Sequence, residues 1–406
     1  MDDARAAPLR VVHLGKYYPP APGGIESHTR DLARAQAALG ADIRVVVVNH
    51  AGPGGRDATF DRFARTRPAE DADGPVRVVR VGRWANVLKL DVAPGLRAAL
   101  RRLRRDPPDV WHLHAPNPTM MLAVIADPRV RPLVVTHHSD IVRQRVSRYA
   151  VRPLELAVYR RAERILPTSD RYAAGSELLR RFADKLTPVP LGIDLGPYRE
   201  PSAAAVTHAA ALRGRYGAPL WAAVGRIIYY KGLHVALAAL RHVPGTLLVV
   251  GTGPLETELK ATAATLGVAD RVVWAGHATA DELVGTYLAA TALWFPSVAR
   301  SEAFGLVQVE AMAAGCPVVN TAVPDSGVPW VCRHEREGLT APVNDAAGFA
   351  AAADRLLAEP ALRERLAVAG RVRAVEEFDW MVMGRRTLDV YRGVSAGKEV
   401  ACASFT

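Results

Sequence analysis

The sequence predicts an α/β protein built from two Rossmann-like domains. Three observations predict it. The chain has 406 residues, the natural length for two domains of ordinary size. Short apolar runs such as Ile43–Val48, broken only by Arg44, and Leu247–Val250 alternate with helical patterns, and strands apolar at nearly every position belong to parallel sheets covered on both faces. Twice a strand runs into a glycine-rich loop: Leu9–Leu14 before Gly23-Gly24, and Leu247–Val250 before Gly251-Thr252-Gly253. Strand, glycine loop and helix open a nucleotide-binding βα unit.

Composition sets the outer limits. Half of the residues are hydrophobic and 23% are charged, ample for two cores. No apolar run reaches the roughly 18–20 residues of a membrane span. Met1-Asp2-Asp3-Ala4-Arg5 does not read as a signal peptide. Cys316, Cys332 and Cys402 are spaced for neither a disulfide framework nor a zinc site, so the expected compartment is the cytoplasm. Residues 1–195 carry 32 Lys and Arg against 21 Asp and Glu, whereas residues 196–406 are balanced at 20 each. The whole excess of +11 lies in the first half. It fits an anionic partner there, such as a membrane surface or a lipid diphosphate, and equally fits solubilising charge. No aromatic-interleaved basic motif points to nucleic acid.

In the first half, Gly23-Gly24 lets backbone approach a ligand closely, since no Cβ intervenes; a plain turn reads the same way. A helix is expected over Ser27–Leu39, stopped by Gly40, with His28 one turn in, facing a ligand or capping. Residues 51–75 read as a loop and Val76–Val81 as a strand. Arg101-Arg102-Leu103-Arg104-Arg105 ends a basic helix. Asp109–Pro118 is the fourth strand, with His112 and His114 on one face; a third metal ligand is missing nearby in sequence, so no metal is expected. Leu133–Ile141 is the fifth strand, with His137, His138, Ser139 and Asp140 at the carboxyl end that borders the ligand crevice of parallel sheets. A histidine there can donate a hydrogen bond to a leaving phosphate or a sugar. The arginine-rich stretch 143–164 reads as a helix on an anionic surface or in solvent.

In the second half, Trp221–Arg226 is a strand ending in a cation, with Lys231-Gly232 five residues on. Two cations at that loop can stabilise a departing diphosphate. The Gly251-x-Gly253 loop lacks the completion of a dinucleotide fingerprint. The organising stretch is Ser301–Gly315: a loop after the apolar run Thr291–Pro296, then a helix stopped by Gly315. The helix opening at Phe304-Gly305 suits a phosphate. A fully helical segment would separate Glu302 and Glu310 by about 12 Å, too far for a retaining glycosidase pair at about 5–5.5 Å. They read as acceptors for hydroxyls on different parts of one long ligand. Gly327–Val331 is a further loop, Phe378–Trp380 starts a last helix, and the tail after Gly393 reads as unstructured.

The pattern Ser301-Glu302-x-Phe304-Gly305-Leu306-x-x-x-Glu310-Ala311-Met312-Ala313-x-Gly315-x-Pro317-Val318-Val319, with Gly225-Arg226-x-x-x-x-Lys231-Gly232 upstream, resembles the donor site of retaining glycosyltransferases of family 4, group 1. The resemblance spans roughly residues 8–392. It implies the GT-B architecture: two doubly wound Rossmann-like domains facing across a cleft, the first comprising residues 1–195 and 377–406, the second 196–376. It implies a nucleotide-diphosphate sugar as donor, retention of configuration, no metal and no cofactor. Arg226, Lys231, Gly23, Gly24, Phe304 and Gly305 would attend the diphosphate. Glu302 and His138 would act at the sugar as the catalytic pair, Glu310, Gly251 and Gly253 at the nucleotide, and Gly24, His28 and His114 on the acceptor side. In this family the leaving phosphate is taken to assist deprotonation of the acceptor. Thr136–Gln144 also resembles bacterial polysaccharide enzymes, many of them mannosyltransferases. The expectation is therefore mannose from GDP-mannose, moved to a glycan or lipid-linked acceptor in cell-envelope or exopolysaccharide synthesis, in the cytoplasm or peripherally on the inner membrane face. A UDP-sugar (glucose or N-acetylglucosamine) is the alternative donor. A sugar-nucleotide epimerase and a non-catalytic sugar-nucleotide-binding module are the rival classes.

Overall fold

The computed structural model describes residues 7–21, 23–51, 61–87, 90–140 and 145–397, without side chains at 145–150. Of the stretches read above, Met1–Arg5, Pro22, residues 52–60, Ile141–Gln144 with Arg143, the side chains of Arg145 and Arg148, and the tail from 398 with Cys402 lie outside the described residues. The chain forms two compact units, residues 1–192 with 380–406 and residues 193–379. The boundaries expected at 195/196 and 376/377 both fall three residues inside the second unit.

The first unit contains β1 (Arg10–Leu14), β2 (Asp42–Val48), β3 (Ala69–Asp73), β4 (Val76–Val81), β5 (Ala85–Val87), β6 (Leu90–Val92), β7 (Val110–Ala115), β8 (Leu133–His137) and β9 (Arg164–Pro167). Seven strands make one sheet in the order β3-β4-β2-β1-β7-β8-β9, parallel except for β3 on β4. β5 and β6 pair as a separate hairpin. The apolar residues of β2 are buried on both faces, as its composition requires. On one face Val11, Val45, Val110 and Val134 pack with Leu32 and Ala33 of the helix Gly24–Ala38 and with Met383, Leu388 and Tyr391 of the helix Trp380–Ser395. Each such buried side chain contributes about 1.5–3 kcal/mol. The order reverses between β1 and β7, which opens a crevice at their carboxyl ends.

The second unit contains β10 (Leu220–Val224), β11 (Thr246–Val250), β12 (Val272–Gly276), β13 (Ala292–Phe295), β14 (Val318–Thr321) and β15 (Gly338–Ala341). They form a parallel sheet in the order β12-β11-β10-β13-β14-β15. Trp221 of β10 stacks on Trp294 of β13 with ring centroids 5.0 Å apart. Here the order reverses between β10 and β13. Their carboxyl ends lead directly into Arg226, Lys231 and Glu302.

Four expectations need correction. Gly24 is the first residue of its helix, not part of the loop. Ala69–Asp73, read as loop because of its charge, is an edge strand held by β4. Val328–Val331 is a helical turn. The last helix continues past Gly393 to Ser395. The basic stretches are also partly spent on the fold. Arg102 pairs with Glu70, Arg104 with Asp127, and Arg152 with Glu155 and Glu177. Arg161 donates to the carbonyls of Val124, Asp127 and Val130. Among the described residues no helix is long and apolar enough to cross a membrane.

Candidate active site

In the second unit, the chain leaves β10 through Gly225 and exposed Arg226, makes a short turn at Tyr229–Lys231, and enters the helix Leu233–Leu240 through a left-handed Gly232. Lys231 Nζ lies 2.6 Å from Glu302 Oε2, with both side chains under 15% exposed. The contact is an ion pair without a directed hydrogen bond to that oxygen. The ammonium also sits 4.8 Å from the centre of the Phe295 ring. The cation expected at a diphosphate and the acid expected at a sugar are thus each other's partner.

The loop that carries Glu302 is held from several sides. Glu302 N donates to Ala299 O, Gly327 N donates to Ala303 O, and the Ser301 and Tyr229 hydroxyls lie 2.8 Å apart. Phe304 is buried against Phe378 and Trp330. Its side chain belongs to the core, so ligand contact there falls to the backbone. Gly305 has φ +83°, and a Cβ on it would lie 2.8 Å from the Phe295 ring, so glycine is required. The helix Leu306–Ala314 that follows has no side-chain cap. Its opening keeps the positive end of the dipole available to an anion. One turn on, Glu310 Oε2 accepts a hydrogen bond of 2.6 Å from the Tyr287 hydroxyl. Burial, with Glu310 beside it, pushes that hydroxyl's pKa far above its ordinary range. Nothing in the sequence around Tyr287 marks it out from a core tyrosine.

Gly251 and Gly253 serve the neighbouring loop. A Cβ on Gly251 would lie 2.2 Å from Gly225 O, and one on Gly253 would lie 2.3 Å from Ile227 O. Gly225 N donates to Val250 O and Ile227 N to Thr252 O. The two glycines therefore let the backbone cross beneath Arg226.

In the first unit, Gly23 and Gly24 are exposed at the start of their helix. Glu26 folds back over them: a Cβ on Gly23 would lie 2.1 Å from Glu26 Oε2. Burial raises the pKa of this carboxyl, opposed by its own backbone N–H and by Lys16. The helix opening expected to meet a phosphate is therefore covered by an acid that the sequence reading passed over.

His114, His28 and His138 come together below that point. His114 Nδ1 is 3.2 Å from His138 Nε2, and the His28 ring stands edge-on to His138 at 4.7 Å. Neither ring nitrogen of His28 has a partner among the described residues. His13 and His112, directly opposite each other across β1 and β7, complete the cluster. Burial lowers all five pKa values, to about 4 for His13 and about 3 for His28. His137 points elsewhere, to the Tyr159 hydroxyl and Asp140. Two triads, His13–His112–His114 and His28–His114–His138, each bring ring nitrogens within 4.8 Å of one another, and neutral imidazoles of this kind can hold a transition metal. The expectation of no metal rested on a missing third ligand, which the fold supplies from β1 and from the first helix.

The chain matches the family described as Glycosyl transferases group 1 over residues 213–373 and the Glycosyl transferase 4-like domain over residues 23–192. It is 34% identical to the D-rhamnosyltransferase WbpZ of Pseudomonas aeruginosa over 64% of this chain and 66% of that protein. It is 29% identical to an O-antigen chain mannosyltransferase C of Escherichia coli over 86% and 88%. It is 31% identical to a glycogen synthase of Mycobacterium tuberculosis over 96% of each. Among solved structures, the sucrose-phosphate synthase of Thermosynechococcus elongatus superposes with a TM-score of 0.78 at 23% identity, covering 96% of this chain and all of that one. The two switch-point crevices, the glycine-supported cation loop and the strand-loop-helix around Glu302 are thus the parts of a GT-B glycosyltransferase, and the chain belongs to family 4, the glycosyl transferases of group 1.

Proposed function

We propose that the protein transfers mannose from GDP-mannose to a hydroxyl of a glycan or lipid-linked acceptor in cell-envelope or exopolysaccharide synthesis, with retention and without a metal. The observation that carries the reading is the Lys231–Glu302 pair beside exposed Arg226 and the uncapped helix at Gly305. Each member is partly buried, so each needs a counter-group wherever it goes. A bound nucleotide-diphosphate sugar supplies both: phosphate oxygens for Lys231 and Arg226, and a sugar hydroxyl for Glu302. Glu302, already neutralised by a cation, serves as a hydrogen-bond acceptor in place of a nucleophile. The leaving phosphate then assists deprotonation of the acceptor. Glu310, held by Tyr287, takes the ribose. In the first unit, His138 is assigned to the sugar and Gly24 and His28 to the acceptor; His114, expected there too, is buried with both ring nitrogens against His13 and His138 and stands behind them instead.

Mannose is favoured by the similarity to the O-antigen chain mannosyltransferase. The glycogen synthase likeness keeps a glucosyl donor as the second reading. A thermal-shift panel of GDP-mannose, UDP-glucose, UDP-N-acetylglucosamine and ADP-glucose with EDTA present separates them. A ligand at about 100 times its Kd stabilises by about 2.7 kcal/mol, which such a panel resolves. A shift with GDP-mannose alone is expected. A shift with UDP-glucose or ADP-glucose instead discards mannose, and silence with all four defeats the donor-site assignment.

A further inference from the structure

We propose that the β5–β6 hairpin, with the loop beside it, is the face by which the first unit docks on an anionic lipid leaflet.

The hairpin is built inside out. A strand pair that covers a core turns its apolar side inward and its polar side to water. Here the cross-strand pairs Ala85–Val92 and Val87–Leu90 share one face, and Val87, Leu90 and Val92 are exposed on it. Asn86 and Asp91 pair on the other face, and both are buried. Asp91 accepts there from the Tyr17 hydroxyl at 2.9 Å, from Arg83 at 3.1 Å and from Asn86 at 2.9 Å. Its backbone N–H donates to Thr119 Oγ1 at 3.0 Å. Buried Arg83 also donates to the carbonyls of Asp61 and Ala64, and Asn86 N donates to Arg62 O. These bonds lay residues 61–64 along the first strand, so that Phe63, 87% exposed, stands beside Trp84, 62% exposed. Thr119 and exposed Leu122 share a face of the helix Pro118–Ile125. Of the ten large hydrophobic side chains exposed among the described residues, six therefore gather here: Phe63, Trp84, Val87, Leu90, Val92 and Leu122. Gathering of this kind marks an interaction site.

The rim decides what the face meets. Arg62, Arg65, Arg97 and Arg101 are exposed and join no ion pair among the described residues. Arg62 and Arg65 lie on either side of Phe63. Arg97 and Arg101 share a face of the helix Leu96–Leu103, which the chain enters directly after the hairpin. The acids of the same stretch are engaged: Asp61 with the Phe63 N–H, Glu70 with Arg102, Asp71 with Arg80, Asp73 with Arg34 and Asp91 inside. An apolar centre with a tryptophan and a phenylalanine, ringed by unpaired arginines, complements the acyl boundary and headgroups of an anionic bilayer. A second copy is a poorer fit, because a two-fold contact would set this patch, arginines included, against itself. The position of the face gives docking a consequence. Tyr17 follows β1 and Thr119 follows β7, the strands that border the crevice, and both are bonded to Asp91. Docking thus holds the crevice at the leaflet, within reach of a lipid-linked acceptor. Only this consequence rests on the acceptor proposed above; the docking rests on the surface alone.

The test is co-flotation of the full chain with phosphatidylcholine vesicles, with and without phosphatidylglycerol. Binding is expected only with the anionic lipid, and should weaken as salt is raised. Trp84→Thr with Val87→Thr should weaken it by about tenfold or more, and Arg97→Ala with Arg101→Ala by about tenfold. All four side chains are exposed, so the melting temperature should hardly move. Val368→Thr with Val372→Thr removes exposed apolar surface from the helix Pro360–Phe378 instead and should leave flotation unchanged. Native flotation by the Trp84 pair, equal binding to neutral and anionic vesicles, or binding to neither overturns the proposal. A dimer seen by sedimentation without lipid, and broken by the Trp84 pair, assigns the face to a second copy and overturns it as well. The donor panel is read without vesicles, so failure of either reading leaves the other standing.

Discussion

Every histidine of the first unit is buried, His13, His28, His50, His112, His114, His137 and His138, while none of the five in the second unit is. The halves of the candidate site differ in the same way. In the first unit it is a neutral network bonded to itself; in the second it is a largely buried cation and carboxylate paired with each other, with an exposed arginine beside them. Neutral imidazoles keep their tautomers only where water and ions are excluded. An ion pair that must exchange partners with a ligand works best where desolvation is incomplete. The first half is built for fixed geometry and the second for exchange.

The largest effect expected from this contrast is on acid stability. The five histidines with lowered pKa values take up protons in the unfolded chain below about pH 6.5 but not in the folded unit. Their contribution is complete above that pH and is lost as pH falls toward about 4, the folded value of His13. The slope is about 1.4 kcal/mol per pH unit for each proton, so several kcal/mol should vanish by about pH 5.5. Urea unfolding followed by NMR probes in each unit, at pH 7 and 5.5, should move the first unit's midpoint sharply and the second's little. Equal movement in both would break the contrast.

The second effect falls on the ionic half. Glu302→Gln keeps the shape and removes the charge that faces Lys231. Turnover should fall by about 10²–10³, or about 2.7–4 kcal/mol, as for other polar groups aimed at a reacting centre. With both side chains under 15% exposed, leaving Lys231 without its counter-charge should also cost stability, by up to about 3–5 kcal/mol, so turnover is compared at a temperature where the variant is still folded. A variant that loses fold and activity together would show the pair to be structural.

How much of this was legible depended on sequence distance. The strand-loop-helix from Ala292 to Gly315 is contiguous, so glycine stops and apolar runs exposed it, and both carboxylates with it. The Lys231–Glu302 contact joins two loops brought together by adjacency of β10 and β13, which no local pattern encodes. The histidine cluster draws on β1, the first helix, β7 and the end of β8. Parallel register sets His13 opposite His112 and His114 opposite Thr136. A histidine inside the apolar run Val11-Val12-His13-Leu14 was the available signal, and it was passed over. Ala69–Asp73 was hidden for the opposite reason: its acids have no strand preference of their own, and pairing with β4 alone makes it a strand. The short β15, Gly338-Leu339-Thr340-Ala341, lacks the β-branched run that would announce it.

The smallest effect, at Tyr287, sharpens the comparison most. Its ring is buried within the helix Ala280–Ala289, and its hydroxyl donates to Glu310. Tyr287→Phe keeps the packing and removes one charge-assisted hydrogen bond, a change of about 1.5–3 kcal/mol at most. If Glu310 meets the ribose, that loss should weaken binding of the nucleoside diphosphate of whichever donor shifts the melt by about three- to tenfold, roughly 1 kcal/mol, and leave kcat within about twofold, since the ribose does not react. Calorimetric titration with that nucleoside diphosphate measures it, and unchanged affinity would remove Glu310 from the nucleotide site. A drop in affinity would give the second unit a buried neutral group that orients an acid, as His114 stands behind His138 in the first. The units would then share one device, a buried hydrogen-bonding side chain behind each working residue. Their difference would lie only in whether the residue in front is neutral or charged.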